Sequence, residues 1–322
     1  MASTSASCPE KSLEDDDNLT VELHEFGVEG GAELLVQQVQ LLMENMKTGF
    51  YLIKTDVNNA FNSVSWSHLL NQVLTVFPDI YNHAALVYSD INPLIHLQRS
   101  YLVILSSQES VYQGDPLGPA LFSIAMQPIL ENLQSHNKGV TILAYLDDVY
   151  LLGSPDRVFH VFERLRSAFS NINLMIEEEK CEICCSSSPL LNTISQSTSI
   201  PATSQGCRIL GTSIGSSLSI IKSCSDVAQS GSNLCGKLLQ LQDPQCGMLL
   251  LRHCHVTRIN FLSQTVPPRL LESAVAIHDT LTRSTFTNLL GRDRPCSYKV
   301  SCWKQTLSQR SLKPSWLSKQ KT

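Results

Sequence analysis

The sequence predicts an α+β fold in which an antiparallel sheet carries helices on one face and a helical region follows. Three observations predict it. Strand-like apolar runs alternate with stretches whose apolar residues recur at spacings of three and four. Their order, with a helix between strands and a hairpin further on, is that of a split βαβ unit. Beyond residue 216 the periodicity is helical alone.

The first elements are a helix, a strand and a second helix. After Gly31 the apolar residues form a helical stripe: Ala32, Leu35, Val36, Val39, Leu42, Met43 and Met46. The run 49–55 is largely apolar and predicts a strand that ends at Asp56. A second stripe follows, with Ser63 or Ser65 as its N-cap: Trp66, Leu69, Leu70, Val73, Leu74 and Phe77. Asp56 therefore lies between a strand and a helix, at a strand end where a carboxylate is well placed for chemistry.

The next elements complete the sheet. A helix is predicted over residues 121–129, with a kink at Pro128. Two apolar strands flank a turn at residues 146–148 and predict a hairpin. Ser154 caps a further helix whose first turn holds a proline, and residues 174–176 supply another strand.

The remaining chain is divided by a loop. Residues 185–205 are rich in Ser and Thr without an apolar period, which predicts a connection. Three or four helices are predicted beyond residue 216, in the stretches 234–241, 248–251 and 270–290.

Asp147 and Asp148 are adjacent carboxylates at the tip of the predicted hairpin. A turn can carry Asp simply because this side chain hydrogen-bonds its own backbone. Asp56 is a third carboxylate in matching surroundings, which weakens that explanation. If its strand lies beside the hairpin, the three carboxylates can bind divalent ions through oxygen, the ligand that Mg²⁺ prefers. Two such ions suit phosphoryl transfer.

Five blocks of sequence, in order, resemble the reverse transcriptases of the non-LTR retrotransposon type. Residues 54–64 are similar to the first catalytic block, 112–119 to the second, and 144–148 to the third, with its Tyr-x-Asp-Asp signature. Residues 174–182 resemble the fourth block, and 210–216 the block that grips the primer.

The resemblance implies a domain organisation. Residues 26–216 would form a polymerase palm with residual fingers, and 217–292 a helical thumb. Residues 1–25 are expected to be a disordered acidic tail, and 293–322 a basic C-terminal tail. The fingers are largely missing from this pattern, so the chain is expected to be truncated at its N-terminus.

The resemblance also implies the metal site. Asp56, Asp147 and Asp148 would be the catalytic carboxylates and would hold two Mg²⁺ ions, with Mn²⁺ as an alternative ion. Val57 would join the same metal set.

Further residues would bind the substrates. Gln113 and Gly114 would contact the template and the incoming nucleotide. Phe61 would crowd the sugar 2′ position and so exclude ribonucleotides, although a core aromatic behind the strand is an alternative. Lys180 would stand near the pyrophosphate as a proton donor, or simply be a solvated strand end. The implied primer grip consists of Leu210, Gly211 and Thr212.

Charge is divided unevenly along the chain, whose net charge is −5. Residues 1–207 carry nine Lys and Arg against 24 Asp and Glu, and residues 208–322 carry fifteen against five. The basic part would face the phosphates of a primer–template duplex, or would only be a solubilising tail. Only Lys11, Lys47 and Lys54 precede Asp56, so the basic clamp for a triphosphate is expected to be absent.

Composition limits the other classes of protein. No apolar run approaches the length of a membrane span, and no secretory signal begins the chain, so no compartment is assigned and nucleus or cytoplasm both fit. Eleven cysteines without finger-like spacing predict buried thiols rather than a zinc site. No endonuclease domain is expected.

The leading hypothesis is an RNA-directed DNA polymerase acting on an RNA template, a DNA primer and dNTPs. The alternative is a catalytically silent remnant that only binds nucleic acid or a partner protein. An RNA-making polymerase shares the metal chemistry but is disfavoured by Phe61, because a smaller polar residue would be expected there.

Overall fold

A computed structural model describes nine stretches of the chain: residues 22–23, 29–45, 50–89, 92–98, 101–107, 111–112, 114–185, 198–241 and 243–290. The chain divides into two compact units, residues 1–207 and 208–322. Each unit has a hydrophobic core of its own. No helix within these stretches is both long enough and apolar enough to cross a bilayer.

The first unit mixes helices and strands. Its helices are α1 (Gly31–Asn45), α2 (Ala60–Ser63), α3 (Trp66–Val76), α4 (Pro78–Tyr88), α5 (Gly118–His136) and α6 (Pro155–Ser170), with a 3₁₀ turn at Glu178–Lys180. Its strands are β1 (Glu22–Leu23), β2 (Tyr51–Lys54), β3 (Val57–Asn58), β4 (Asn92–Gln98), β5 (Tyr101–Ser107), β6 (Val140–Tyr145), β7 (Asp148–Gly153), β8 (Met175–Ile176), β9 (Glu182–Cys185) and β10 (Ala202–Thr203).

The main sheet has the strand order β1-β6-β7-β2-β9-β10. Its central pairs, β6–β7, β7–β2 and β2–β9, are antiparallel, whereas the edge strands β1 and β10 pair in parallel. Lys54 lies opposite Tyr150 on one side and Glu182 on the other. The predicted α+β class and the antiparallel centre of the sheet are confirmed.

Alternation along the strands separates the two faces of the sheet. Tyr51 and Ile53 of β2 belong to the large core that includes buried residues of α3, α5 and α6, while Leu52 between them does not. Helices therefore cover the face to which Tyr51 and Ile53 point. Helix α1 contacts β6, and its buried Leu35 lies outside that core.

Two helices of this unit begin directly after a serine that was predicted as the N-cap. Ser65 precedes α3, but its hydroxyl bonds Ser67 rather than a backbone N–H. Ser154 precedes α6, with Pro155 in the first turn. Helix α5 continues through Pro128 to His136.

The second unit begins with a hairpin of β11 (Gly206–Ile209) and β12 (Thr212–Gly215) and is otherwise helical. Its helices are α7 (Ser217–Leu238), α8 (Pro244–Leu250), α9 (Asn260–Thr265) and α10 (Pro268–Leu289), with a π-helical turn at Leu251–His255 and a 3₁₀ turn at Val256–Ile259. Helices α7 and α10 pack together through Ile220, Cys224, Leu271 and Ala274. The predicted helical region after residue 216 is confirmed.

Candidate active site

The β6–β7 hairpin presents two adjacent carboxylates. Tyr145 pairs with Asp148, so the loop between the strands consists of Leu146 and Asp147 alone. Leu146 has φ +56°, a left-handed conformation that costs a non-glycine residue roughly 1–2 kcal/mol. The tight turn places the half-buried side chains of Asp147 and Asp148 at one end of the sheet.

Asp56 reaches the same end of the sheet because β2 lies beside β7. Both the backbone N–H and the hydroxyl of Thr55 donate to the carbonyl of Val149, at 2.9 and 3.1 Å. Thr55 is fully buried, so these bonds are shielded from water. Continuing the register in which Lys54 faces Tyr150 sets Asp56 beside Asp148.

The electrostatics of the three acids reflect this neighbourhood. Burial raises the pKa of Asp147 and of Asp148, and the charge of Asp56 raises both further. The ammonium of Lys54 acts in the opposite direction and lowers the pKa of Asp148. Mutual repulsion at a half-buried edge is the condition that a bound cation relieves.

The donor set fits Mg²⁺ held partly by substrate. Within the described residues, no three His, Cys, Asp or Glu side chains form a group that could hold a metal by themselves. Mg²⁺ usually takes one or two carboxylates, keeps several waters and binds substrate phosphates rather than a closed protein cage. Carboxylates alone, without nitrogen or sulfur ligands, match that mode.

The backbone of Asp56 is bonded to the turn that follows β8. Its N–H donates to the Sγ of Cys181 at 3.4 Å, and its carbonyl accepts from the N–H of Glu177 at 2.9 Å. Val57, the next residue, pairs with Ile176 and is 6% exposed, so its side chain belongs to the core. Only its backbone could therefore serve a metal.

Lys180 lies in the same turn, on the surface. Its Nζ is 2.6 Å from a carboxylate oxygen of Glu177. The hydrogen bond and charge of Glu177, with a smaller contribution from Asp56, raise the pKa of Lys180. The ammonium is therefore within electrostatic reach of the carboxylate of Asp56.

Phe61 is a half-buried aromatic on α2. Its ring stacks on Phe122 of α5, with centroids 4.5 Å apart, and packs against the main core. Its carbonyl accepts a hydrogen bond of 2.6 Å from the N–H of Val111. The ring of Phe61 thus packs against the core and is still partly accessible to solvent.

The second block surrounds an exposed glycine. Gly114 has φ +97°, and nothing lies within 4 Å of where a Cβ would be. The open backbone there allows close approach of a ligand. Gln113, the other residue expected to touch template and nucleotide, lies outside the described residues.

An aromatic cluster that the sequence did not reveal holds this block. The hydroxyl of Tyr88 donates to the carboxylate of Asp115, and the rings of Tyr88 and Tyr112 stack at 5.3 Å. Trp66 packs edge-on against both rings. Tyr88 lies on α4, well before the second block in the sequence. The only sequence signal for its contact with Tyr112 and Asp115 was that both segments contain aromatic residues.

The expected primer grip forms the tip of a hairpin in the second unit. Leu210 and Gly211 both have positive φ values, +44° and +91°, between β11 and β12. Thr212 points inward, is fully buried, and shares a hydrogen bond of 2.8 Å with the hydroxyl of Thr265. Leu210 and Gly211 are therefore the more accessible members of the three.

Comparisons with known proteins identify a family and a relative. A family model described as reverse transcriptase (RNA-dependent DNA polymerase) matches residues 13–214. The retrotransposable element SLACS 132 kDa protein of Trypanosoma brucei gambiense is 25% identical over 162 residues, which are 49% of this chain and 14% of that protein. The chain thus matches a small part of this relative.

Solved structures of telomerase also match. Apo telomerase from Candida tropicalis gives a TM-score of 0.48 at 11% identity, over 88% of this chain and 49% of that one. Telomerase from Candida tropicalis in complex with a TWJ fragment of telomeric RNA gives 0.45 at 13% identity, over 90% and 51%.

Proposed function

The chain belongs to the reverse transcriptase (RNA-dependent DNA polymerase) family, and on that premise we propose that it adds deoxynucleotides to a primer 3′-hydroxyl on an RNA template. The observation that supports this best is the shared electrostatic environment of Asp56, Asp147 and Asp148. A single pair of acids in a turn would have a simple structural explanation. A third acid from a different strand would not.

The three carboxylates are proposed to hold two Mg²⁺ ions, with Mn²⁺ as an alternative. When bound, the ions would lower the pKa of the primer hydroxyl and neutralise charge on the leaving pyrophosphate. Asp147 and Asp148 would supply negative charge from a tight turn, and Asp56 would supply it from the end of β2. Lys54 helps to keep Asp148 ionised.

Substrate selection is assigned to Phe61, Gly114, Gln113 and Lys180. Phe61, supported by Phe122, would exclude a 2′-hydroxyl, and the open backbone of Gly114 would approach template or nucleotide together with Gln113. Lys180, which its neighbours keep in the ammonium form, would protonate the pyrophosphate, and its raised pKa makes it a weaker acid than an ordinary lysine.

Binding of nucleic acid is assigned to the basic second unit. Arg252, Arg258, Arg269 and Arg283 are exposed on it, and the part of the chain from residue 208 onward has a net charge of +10. Of this charge, +3 lies in residues 208–290 and +7 in residues 291–322. Positive charge attracts a phosphate backbone regardless of base sequence. The hairpin tip at Leu210 and Gly211 would contact the primer.

A second candidate function is nucleic-acid or partner binding without catalysis. The scarcity of basic residues before Asp56 favours this function, since residues 1–55 contain three lysines and no arginine. A polymerase needs cations to hold a nucleotide triphosphate, and this part of the chain offers few.

The deciding experiment measures dNTP incorporation by the purified chain on a primed RNA template with Mg²⁺. The variant Asp147→Asn/Asp148→Asn should lose incorporation, because amides cannot supply the negative charge. Asp79→Asn, which neutralises an exposed acid on α4, is the matched control and should retain it.

The outcomes separate the two functions. Incorporation that depends on the acid pair supports the polymerase. Binding of the primed template without incorporation by the wild-type chain would overturn it and support the silent protein.

A further inference from the structure

Asp56 is held by a single short turn through both of its backbone groups. Its N–H donates to the Sγ of Cys181 at 3.4 Å, and its carbonyl accepts from Glu177 at 2.9 Å. The turn is closed internally, because the N–H groups of Lys180 and Cys181 both donate to the carbonyl of Glu177, at 2.9 and 3.2 Å. Residues 177–181 therefore bind both backbone groups of Asp56.

The thiol that takes part is buried and neutral. Cys181 is 1% exposed and lies in the main core, and a thiol buried in apolar surroundings stays neutral. A neutral sulfur accepts a backbone N–H weakly, but it adds no negative charge behind Asp56. A thiolate or carboxylate at this place would repel the carboxylate that it helps to position.

The same turn carries Lys180 on its outer side. The charges of Lys180 and Asp56 act on each other, although the two residues are far apart in sequence. One hydrogen-bonded turn thus connects the backbone of Asp56 to the only Lys of the segment 177–181. A change at the inner end of the turn would displace both groups.

We propose that Cys181 is a positioning residue whose thiol, with the amide of Glu177, orients Asp56 for binding divalent ions and fixes its place relative to Lys180. The inference rests on the proposed function, in which Asp56 is a metal ligand. Outer-shell partners that orient a metal ligand typically change metal affinity about 10–100-fold when they are removed.

Three substitutions separate positioning from simple core filling. Cys181→Ala removes both the acceptor and the volume of the thiol. Cys181→Val restores volume without an acceptor, and Cys181→Ser keeps an acceptor in a smaller side chain. Cys224→Ala is the matched control, because Cys224 is an equally buried thiol in the core of the second unit.

The first measurement is Mn²⁺ binding to the full chain by electron paramagnetic resonance, without nucleotide. The Ala and Val variants should bind Mn²⁺ about tenfold more weakly, as Asp56→Asn should, whereas the Ser variant and Cys224→Ala should resemble wild type. Equal Mn²⁺ affinity in wild type and in all Cys181 variants would overturn the proposal, because removal of the sulfur acceptor would then have no effect on metal binding. Loss of affinity in Ala but recovery in Val would overturn it too, since volume would then be the cause.

The second measurement is the Mg²⁺ dependence of dNTP incorporation. The Ala and Val variants should need about tenfold more Mg²⁺ for half-maximal rate while the KM for dNTP at saturating Mg²⁺ stays unchanged. If the Mn²⁺ affinities of wild type and variants differ as expected but wild type incorporates no nucleotide, the polymerase function fails while the role of Cys181 stands. If incorporation is normal and Mg²⁺ dependence is the same in every variant, the role of Cys181 fails while the polymerase stands.

Discussion

At the scale of single residues, Phe61 offers the clearest test of substrate choice. Its ring is supported by Phe122 on one side, so a smaller residue should open space where a sugar 2′-hydroxyl would lie. We expect Phe61→Val to raise the kcat/KM for ribonucleotides relative to deoxynucleotides by about 100-fold, a size typical of steric discrimination in a pocket. Single-nucleotide incorporation with each class of triphosphate measures the ratio.

The control for this substitution is Phe159→Val. Phe159 is also a half-buried ring, packed on Tyr51 with centroids 6.2 Å apart. It should lose packing energy without changing the ratio. If both variants leave ribonucleotide use unchanged, Phe61 is a core aromatic and the gate is elsewhere.

Single residues also show where sequence reasoning ends. The acids Asp56, Asp147 and Asp148 could be predicted, because their residue types and motif spacing carry the chemistry. The hydrogen bonds of Asp56 to Glu177 and Cys181, and those of Thr55 to Val149, could not, because these contacts depend on how distant segments pair. A threonine before an aspartate and a cysteine after a lysine have no distinctive pattern of their own.

At the scale of elements, the β6–β7 hairpin should be less stable because of the charges it presents. The pKa of Asp148 is raised by burial first, with contributions from Asp147 and Asp56, so the folded state binds this proton more tightly than the unfolded state. Stability therefore falls as pH rises from the ordinary pKa of Asp through the raised one, and the penalty remains at neutral pH.

Asp148→Asn should accordingly raise the free energy of unfolding at neutral pH by about 1 kcal/mol, as is usual where function conflicts with stability. The same substitution should abolish incorporation. Thermal denaturation should show a midpoint about 3 °C higher near pH 7. The difference should shrink as pH falls towards the ordinary pKa of Asp. Glu131→Gln, at an exposed acid on α5, is the control, and a lower midpoint for Asp148→Asn would contradict the argument.

Elements differ in how well the sequence predicted them. The long stripes that became α1, α3 and α6 have clear helical periodicity, and they formed as expected. The turn of the hairpin was predicted at residues 146–148, but Asp148 is already in β7, because Leu146 adopts a positive φ without a Gly or Asn to signal it. Tertiary contacts decide that conformation.

At the scale of the whole molecule, charge and structure divide at the same place. The first compact unit ends at Cys207, and residues 1–207 have 15 more acids than Lys and Arg. The second unit has an excess of ten positive charges. The proposed catalytic acids and the proposed nucleic-acid contacts therefore belong to different units, each with a core of its own.

The salt dependence of binding tests this division. Each phosphate contact that is lost should reduce the slope of log Kobs against log salt by about 0.9 for a duplex. Arg252→Ala and Arg269→Ala remove exposed charges from the second unit and should each reduce the slope and weaken binding to primed RNA of any sequence. Fluorescence anisotropy across a series of salt concentrations gives the slope directly.

Two further chains decide where the phosphates bind. Arg166→Ala is the control in the first unit, because its guanidinium already pairs with Glu163 and Glu178 and contributes little to the surrounding field. A chain ending at residue 290 lacks the basic C-terminal residues, so it should keep most of the slope if the helices carry the contacts. If truncation removes the slope while the arginine variants bind like wild type, the basic tail is the nucleic-acid contact and the helices of the second unit are not.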